Sequence, residues 1–140
     1  MISLRLVVDT NIVVSAALQP EGLQRTVILL AFTRPARLYV SKPILAEYRD
    51  VLSRQELQIR KGLQQQLLDL IKKRSRSVTP ARILRVASDR ADSIFLECAD
   101  AARADYLVTG NLRHFPRFWR KTKIITSREF VGLVTPHLLP

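Results

Sequence analysis

The stretch Leu4-Arg5-Leu6-Val7-Val8-Asp9-Thr10-Asn11-Ile12 decides the fold. Leu4 to Val8 is a short, mostly apolar run rich in branched residues, as suits a strand buried on both faces of a parallel sheet. Asp9-Thr10-Asn11 breaks that run and is able to cap a helix beginning near Ile12. A carboxylate placed directly after a buried strand emerges at the carboxyl edge of the sheet. That edge is where open α/β sheets carry their functional crevice.

The same grammar recurs along the chain. Pro20-Glu21-Gly22 is a turn, and Leu23 to Phe32 reads as a helix with Leu23, Val27, Leu30 and Ala31 at helical spacing. Pro35 stops it, Leu38-Tyr39-Val40 reads as a second strand, and Ser41 caps a helix that tolerates Pro43 in its first turn. That helix runs to about Leu52. Residues 56–75 read as one amphipathic helix with a stripe of Leu63, Leu67, Leu70 and Ile71, and Pro80 marks an irregular basic stretch. Ser93 to Ala102 is a helix, Tyr106-Leu107-Val108 a third strand and Lys123-Ile124-Ile125 a fourth. Ser127 then caps a last helix, Arg128 to Val134. Strands alternating with helices imply a parallel sheet covered on both faces. No repeat or linker divides the chain, so residues 1–140 read as a single domain.

Candidate chemistry gathers at the junctions. Asp9 and Asn11 follow the first strand, Glu47 lies on the helix after the second, and Asp92 opens a later helix. Thr109 and Asn111 follow the third strand. Asp9 and Asp92 also suit helix capping, and Glu47 also suits a solvated face, although no basic residue three or four positions away supports it. Asp89 and Glu97 are nearby acids that would extend such a group. Taken together, several carboxylates at one sheet edge demand a counter-cation. Hard oxygen donors of this kind suit Mg²⁺, which serves phosphoryl chemistry.

Charge points the same way. Twenty-three Lys and Arg face twelve Asp and Glu, a net +11. One cluster comprises Lys72, Lys73, Arg74, Arg76, Arg82, Arg85 and Arg90; another comprises Arg113, Arg117, Arg120, Lys121, Lys123 and Arg128. Such clusters favour polyanions, because binding phosphates releases condensed counterions. Tyr48, Phe115, Phe118 and Trp119 are candidates to stack on bases. The hydrophobic share of 47% with 25% charged residues is that of a globular protein. No apolar run reaches the roughly 18 residues needed to cross a membrane. The opening residues read as a strand rather than a signal peptide. The single Cys98 excludes an internal disulfide and a multi-cysteine zinc site, so a cytoplasmic location is expected.

Val7-Val8-Asp9-Thr10-Asn11-Ile12-Val13-Val14-Ser15, Ser41-Lys42-Pro43-Ile44-Leu45-Ala46-Glu47-Tyr48, Asp92-Ser93-Ile94-Phe95-Leu96-Glu97-Cys98-Ala99 and Ala104-Asp105-Tyr106-Leu107-Val108-Thr109-Gly110-Asn111 occur in that order. Together with Lys123-Ile124-Ile125-Thr126-Ser127-Arg128-Glu129-Phe130, this series resembles the PIN-domain family, over nearly the full chain. Its nearest likeness is to the VapC-like toxins of prokaryotic toxin–antitoxin pairs. The resemblance implies a three-layer α/β/α sandwich with a central parallel sheet, and an endoribonuclease dependent on Mg²⁺ or Mn²⁺. It also implies a homodimer and a small cognate antitoxin protein. The family's metal-holding acids map onto Asp9, Glu47 and Asp92, and its polar residue after the third strand maps onto Asn111, with Thr109 preceding it.

The chain departs from that pattern at Asn111 and His114, where many relatives carry acids. A second metal is therefore in doubt, and a catalytically weakened RNA- or antitoxin-binding protein is the alternative. Arg113, His114, Arg117, Trp119, Arg120 and Lys121 are the candidate RNA contacts. A receiver-like or phosphatase-like use of Asp9 as nucleophile is weakened by Asn11, which stands where a second Asp is needed.

Overall fold

The computed structural model describes residues 3–81 and 90–135. Arg82, Arg85 and Asp89, with the side chain of Arg90, lie outside the described residues. Among those described, a six-stranded sheet runs in the order β3-β2-β1-β4-β6-β5. The strands are β1 (Leu4–Val8), β2 (Ala36–Val40), β3 (Arg76–Ser77), β4 (Tyr106–Val108), β5 (Phe118–Trp119) and β6 (Thr122–Ile125). The helices are α1 (Thr10–Leu18), α2 (Leu23–Ala31), α3 (Lys42–Leu52), α4 (Lys61–Arg74), α5 (Arg90–Ala102) and α6 (Ser127–Val134).

The apolar run that opens the chain becomes the centre of this sheet. Leu6, Val7 and Val8 are fully buried, with β2 parallel on one side and β4 parallel on the other. Burial on both faces leaves no room for alternation, which is why the sequence reads as unbroken hydrophobics. Each such side chain contributes about 1.5–3 kcal/mol on leaving water. Chain order then reverses: β2 and β3 extend the sheet from one side of β1, while β4 and β6 extend it from the other. The boundary between β1 and β4 is thus the topological switch point.

The centre of the sheet is parallel, as expected, and one edge adds a feature the residue pattern did not announce: β5 pairs antiparallel with β6. Phe118 pairs with Lys123 and Trp119 with Thr122, closing a hairpin around Arg120-Lys121. Arg120 takes φ 53°, the left-handed conformation that such tight hairpins require. Turns of this kind ordinarily signal themselves by Asn-Gly or Asp-Gly, and Arg-Lys gives no such sign. The other added strand, β3, is a pair of exposed residues beside β2 with no hydrophobic pattern to reveal it.

Three helix boundaries also shift. The single helix expected over 56–75 is a 3-10 turn at Gln55–Leu57 followed by α4, with Gln58 between them at φ 54°. Its inner face is Leu67, Leu68 and Ile71, while Leu63 and Leu70 are half-buried. The last helix is capped by Thr126, one residue earlier than expected. Thr126 Oγ1 accepts the Glu129 N–H at 3.1 Å while the Glu129 carboxylate accepts the Thr126 N–H at 3.1 Å, a reciprocal capping box. α5 begins at Arg90, so Asp92 falls in its first turn. Ser41 does cap α3, its hydroxyl accepting the Ile44 N–H at 3.3 Å, with Pro43 in the first turn.

Candidate active site

Asp9 and Thr109 follow directly on strands that lie side by side. Val8 is in register with Val108, and Val108 with Ile125. The ladder continues one step past each strand: the Asp9 N–H donates to Val108 O, and the Thr109 N–H to Ile125 O, both at 2.9 Å. Their side chains therefore leave the sheet at the same level, and Thr109 Oγ1 donates to Asp9 Oδ2 at 2.6 Å. The same hydroxyl oxygen accepts the Asn111 N–H at 2.9 Å.

Asp9 holds the N-cap position of α1, but its carboxylate is not used as a conventional cap. Oδ1 accepts the Thr10 N–H at 2.7 Å, one residue earlier than the second or third helical N–H that a cap normally engages. Asp9 is buried, and that desolvation raises its carboxyl pKa. The hydrogen bonds from Thr109 and Thr10 and the proximity of His114 act in the opposite direction. Asn11 contributes at the rim, where its Oδ1 accepts the Gly110 N–H at 3.3 Å. A Cβ on Gly110 would come within 3.2 Å of the Asn11 amide nitrogen, so glycine permits this approach.

Glu47 is brought in by α3, whose inner face is Ile44, Tyr48 and Leu52 at four-residue steps. Tyr48 is fully buried and its hydroxyl donates to the carbonyl oxygen of Val8, tying the helix to the last residue of β1. Glu47, one residue before that anchor, is half-buried and accepts from Thr10 Oγ1 at 3.4 Å. Tyr48 is thus an anchor and cannot stack on a base. Burial also raises its hydroxyl pKa well above the ordinary value, so it remains a donor.

Asp92 enters from the first turn of α5. Its side chain is 13% exposed, and its Oδ2 lies 3.3 Å from Nδ1 of His114, which is 47% exposed. Asp9, Asn11, Glu47, Asp92, Asn111 and His114 all line one open cavity of about 420 Å³. The expected acids therefore share one cleft at the switch point. Arg54 and Glu56, which the sequence reading passed over, line it too. Glu97 does not join them: it is buried and borders another cavity, beside Lys42 and Pro43.

The donors in this cleft are carboxylate, amide and hydroxyl oxygens, a set that suits a hard cation such as Mg²⁺ or Mn²⁺. Among the described residues, no three of His, Cys, Asp and Glu form a ready ligand cluster. Mg²⁺ commonly keeps several waters and takes only one or two carboxylates directly, so an open cleft of this composition fits it.

The other candidate contacts divide. Arg113, Arg117, Arg120 and Lys121 border a neighbouring cavity of about 850 Å³, together with Phe118 and Lys123. Trp119 faces elsewhere, beside Asp100 and Arg103, with the Arg120 guanidinium 5.7 Å from its ring. Its indole Nε1 is buried without a hydrogen-bond partner among the described residues. Phe115 is buried and belongs to the core.

Comparison with known proteins agrees with this architecture. The family model described as PIN domain matches residues 5–113. The crystal structure of VapBC2 from Rickettsia felis, bound to a DNA fragment from their promoter, contains a chain of similar fold. The superposition has a TM-score of 0.58 and 18% identity, covering 88% of this chain and 98% of that one. No curated protein matches the sequence. Among the described residues, no helix is long and apolar enough to cross a membrane.

Proposed function

This chain belongs to the PIN-domain family, and we propose that it is a metal-dependent endoribonuclease acting as the toxin of a toxin–antitoxin pair. One observation carries the reading: Asp9, Glu47, Asp92 and Asn111, drawn from four separate junctions of the chain, line a single cleft at the switch point. On a chain of net charge +11, an acidic cleft bordered by a basic cavity suits cutting a phosphodiester rather than merely gripping one.

Asp9, Glu47 and Asp92 would hold the cation, in part through its waters, with Asn11 and Asn111 orienting those waters. Bound there, Mg²⁺ or Mn²⁺ supplies charge neutralisation at the phosphate and acidifies a water for in-line attack. Thr109 and the Thr10 N–H keep the Asp9 carboxylate fixed. His114 would orient the Asp92 carboxylate, which lies 3.3 Å from its Nδ1. A small antitoxin protein would silence the enzyme by covering the cleft, and a homodimer is the assembly in which it would operate.

The pairing of His114 with Asp92 favours a second reading, in which the cleft binds RNA or antitoxin but cuts weakly. Purified protein distinguishes the two. Mn²⁺-dependent cleavage of a structured RNA, abolished by Asp9→Asn, supports the nuclease. Intact RNA at high protein and metal, retained on the protein, supports the binder.

A further inference from the structure

The 3-10 turn Leu112–His114 lies between two cavities of opposite character. Its His114, with Asn111 just before it, faces the acidic cleft, whereas Leu112 and Arg113 face the cavity of about 850 Å³. That volume lies within the range of about 300–1,000 Å³ typical of ligand sites. Five of the side chains around it are cationic. The acid among them, Glu129, has its carboxylate engaged by Thr126 at the α6 cap.

The cations are not equivalent. Arg120 pairs with Asp100 at 3.4 Å and Lys121 with Asp105 at 3.3 Å. Arg113, Arg117 and Lys123 have no acidic partner among the described residues. Beside them Phe118 is 65% exposed, on the short antiparallel edge strand that the hairpin adds to the sheet. A single exposed aromatic is ordinary on a protein surface. An exposed aromatic beside unpaired cations, in a concavity next to a phosphoryl-transfer cleft, is the composition of a single-strand binding platform.

We infer that this cavity is a subsite for the strand flanking the cleavage point. Backbone phosphates of single-stranded RNA settle on Arg113, Arg117 and Lys123, and one unpaired base stacks on Phe118. The identity of the ligand rests on the ribonuclease reading above. The subsite itself is a matter of binding and is measurable without cleavage. A duplex keeps its bases stacked on one another and cannot offer one to Phe118, so the platform discriminates for single strands. Trp119, next in sequence, does not share this role, because it faces the other side of the hairpin.

The test is fluorescence anisotropy of a labelled, unstructured RNA oligonucleotide with the full chain in EDTA, where metal-dependent cutting is silent. Phe118→Ala should weaken binding by about 5- to 100-fold and Phe118→Tyr should restore it, as stacking rather than bulk predicts. Arg117→Ala combined with Lys123→Ala should flatten the slope of log affinity against log salt by about 1.4, since each phosphate contact on a single strand is worth about 0.7. Duplex RNA of the same sequence should not respond to Phe118→Ala. Unchanged single-strand affinity and salt slope in these variants would overturn the subsite. So would displacement of the RNA by a glutamate-rich peptide whose own binding, and not that of the RNA, depends on Phe118; an acidic protein would then be the occupant. If Phe118→Ala weakens binding while wild-type protein with Mn²⁺ cuts nothing, the subsite stands and the nuclease reading falls. Cleavage by wild type with unchanged binding in the variants gives the reverse.

Discussion

Thr109 Oγ1 donates a 2.6 Å hydrogen bond to Asp9 Oδ2 across the boundary between β1 and β4. The two residues stand 100 positions apart in sequence but one step past paired strand ends, so sheet register alone sets their contact. Thr109→Val keeps the shape and removes the donor, leaving a buried carboxylate one hydrogen bond short. Bonds to charged groups are worth about 1.5–3 kcal/mol. Urea unfolding at pH 7 should show a loss of that order, with Thr109→Ser recovering most of it. Equal midpoints for wild type and Thr109→Val would show that the bond does not hold the carboxylate.

Burial raises the Asp9 carboxyl pKa above its unfolded value, which fixes the sign of its contribution to stability. Between those two values the folded state binds more protons than the unfolded one, so stability falls as pH rises through the window. The contribution is complete below the unfolded pKa and lost above the folded pKa. Asp9→Asn should therefore melt higher than wild type at pH 7 in EDTA, with the gap closing toward pH 3. Its amide oxygen keeps the Thr10 N–H while its NH₂ donates to Thr109. Mn²⁺ at about 100 times its dissociation constant should stabilise wild type by about 2.7 kcal/mol and leave the variant unmoved. A variant that melts lower at pH 7, or that still responds to Mn²⁺, contradicts this account of the carboxylate.

How far the sequence reveals this molecule depends on where each signal is written. Leu6-Val7-Val8 and Leu107-Val108 declare buried strands through composition, and Ser41 with Pro43 declares a helix start. The placement of Asp9, Glu47 and Asp92 at junctions therefore puts them in one cleft once the sheet closes. What stays hidden is what long-range geometry decides. Left-handed turns at Gln58 and Arg120 carry no glycine, so neither the break before α4 nor the β5–β6 hairpin shows in the residue pattern. Phe118 and Trp119 are adjacent aromatics of similar sequence context. Strand alternation exposes one and half-buries the other, and only pairing with β6 determines which. Arg54 escaped notice because its charge matters only when the end of α3 is folded beside the acids.

Arg54 lines the acidic cleft, yet among the described residues its guanidinium is held only by an exposed pair with Asp50 at 3.4 Å. Exposed pairs of this kind contribute about 0–1 kcal/mol, so stability does not explain the residue. If the cleft cuts RNA as proposed, an arginine at its edge is suited to clamp a phosphate oxygen with paired N–H groups. Arg54→Ala should leave the urea midpoint nearly unchanged while lowering kcat/KM on RNA by at least about tenfold. Asp50→Asn, which frees the guanidinium, should lower KM. Full activity in Arg54→Ala would show that the side chain only borders the cleft.

His114 occupies a place in the cleft where a carboxylate would complete the acidic set, and its Nδ1 already faces Asp92 at 3.3 Å. Replacing it by a carboxylate exchanges an attractive neighbour of Asp92 for a repulsive one. Without a cation, like charges at close quarters destabilise; with one, an added hard oxygen donor tightens coordination. His114→Asp should thus melt lower than wild type in EDTA and recover, or exceed, wild type in millimolar Mg²⁺. Calorimetric titration should show tighter Mg²⁺ binding, and anisotropy in EDTA should show weaker RNA binding, because an added carboxylate repels phosphate. If Mg²⁺ affinity is unchanged while stability falls, His114 lies outside the reach of the bound cation. The residues Asn111 and His114, neither of them an acid, would then reflect a cleft built around the charge of Asp9, Glu47 and Asp92 alone.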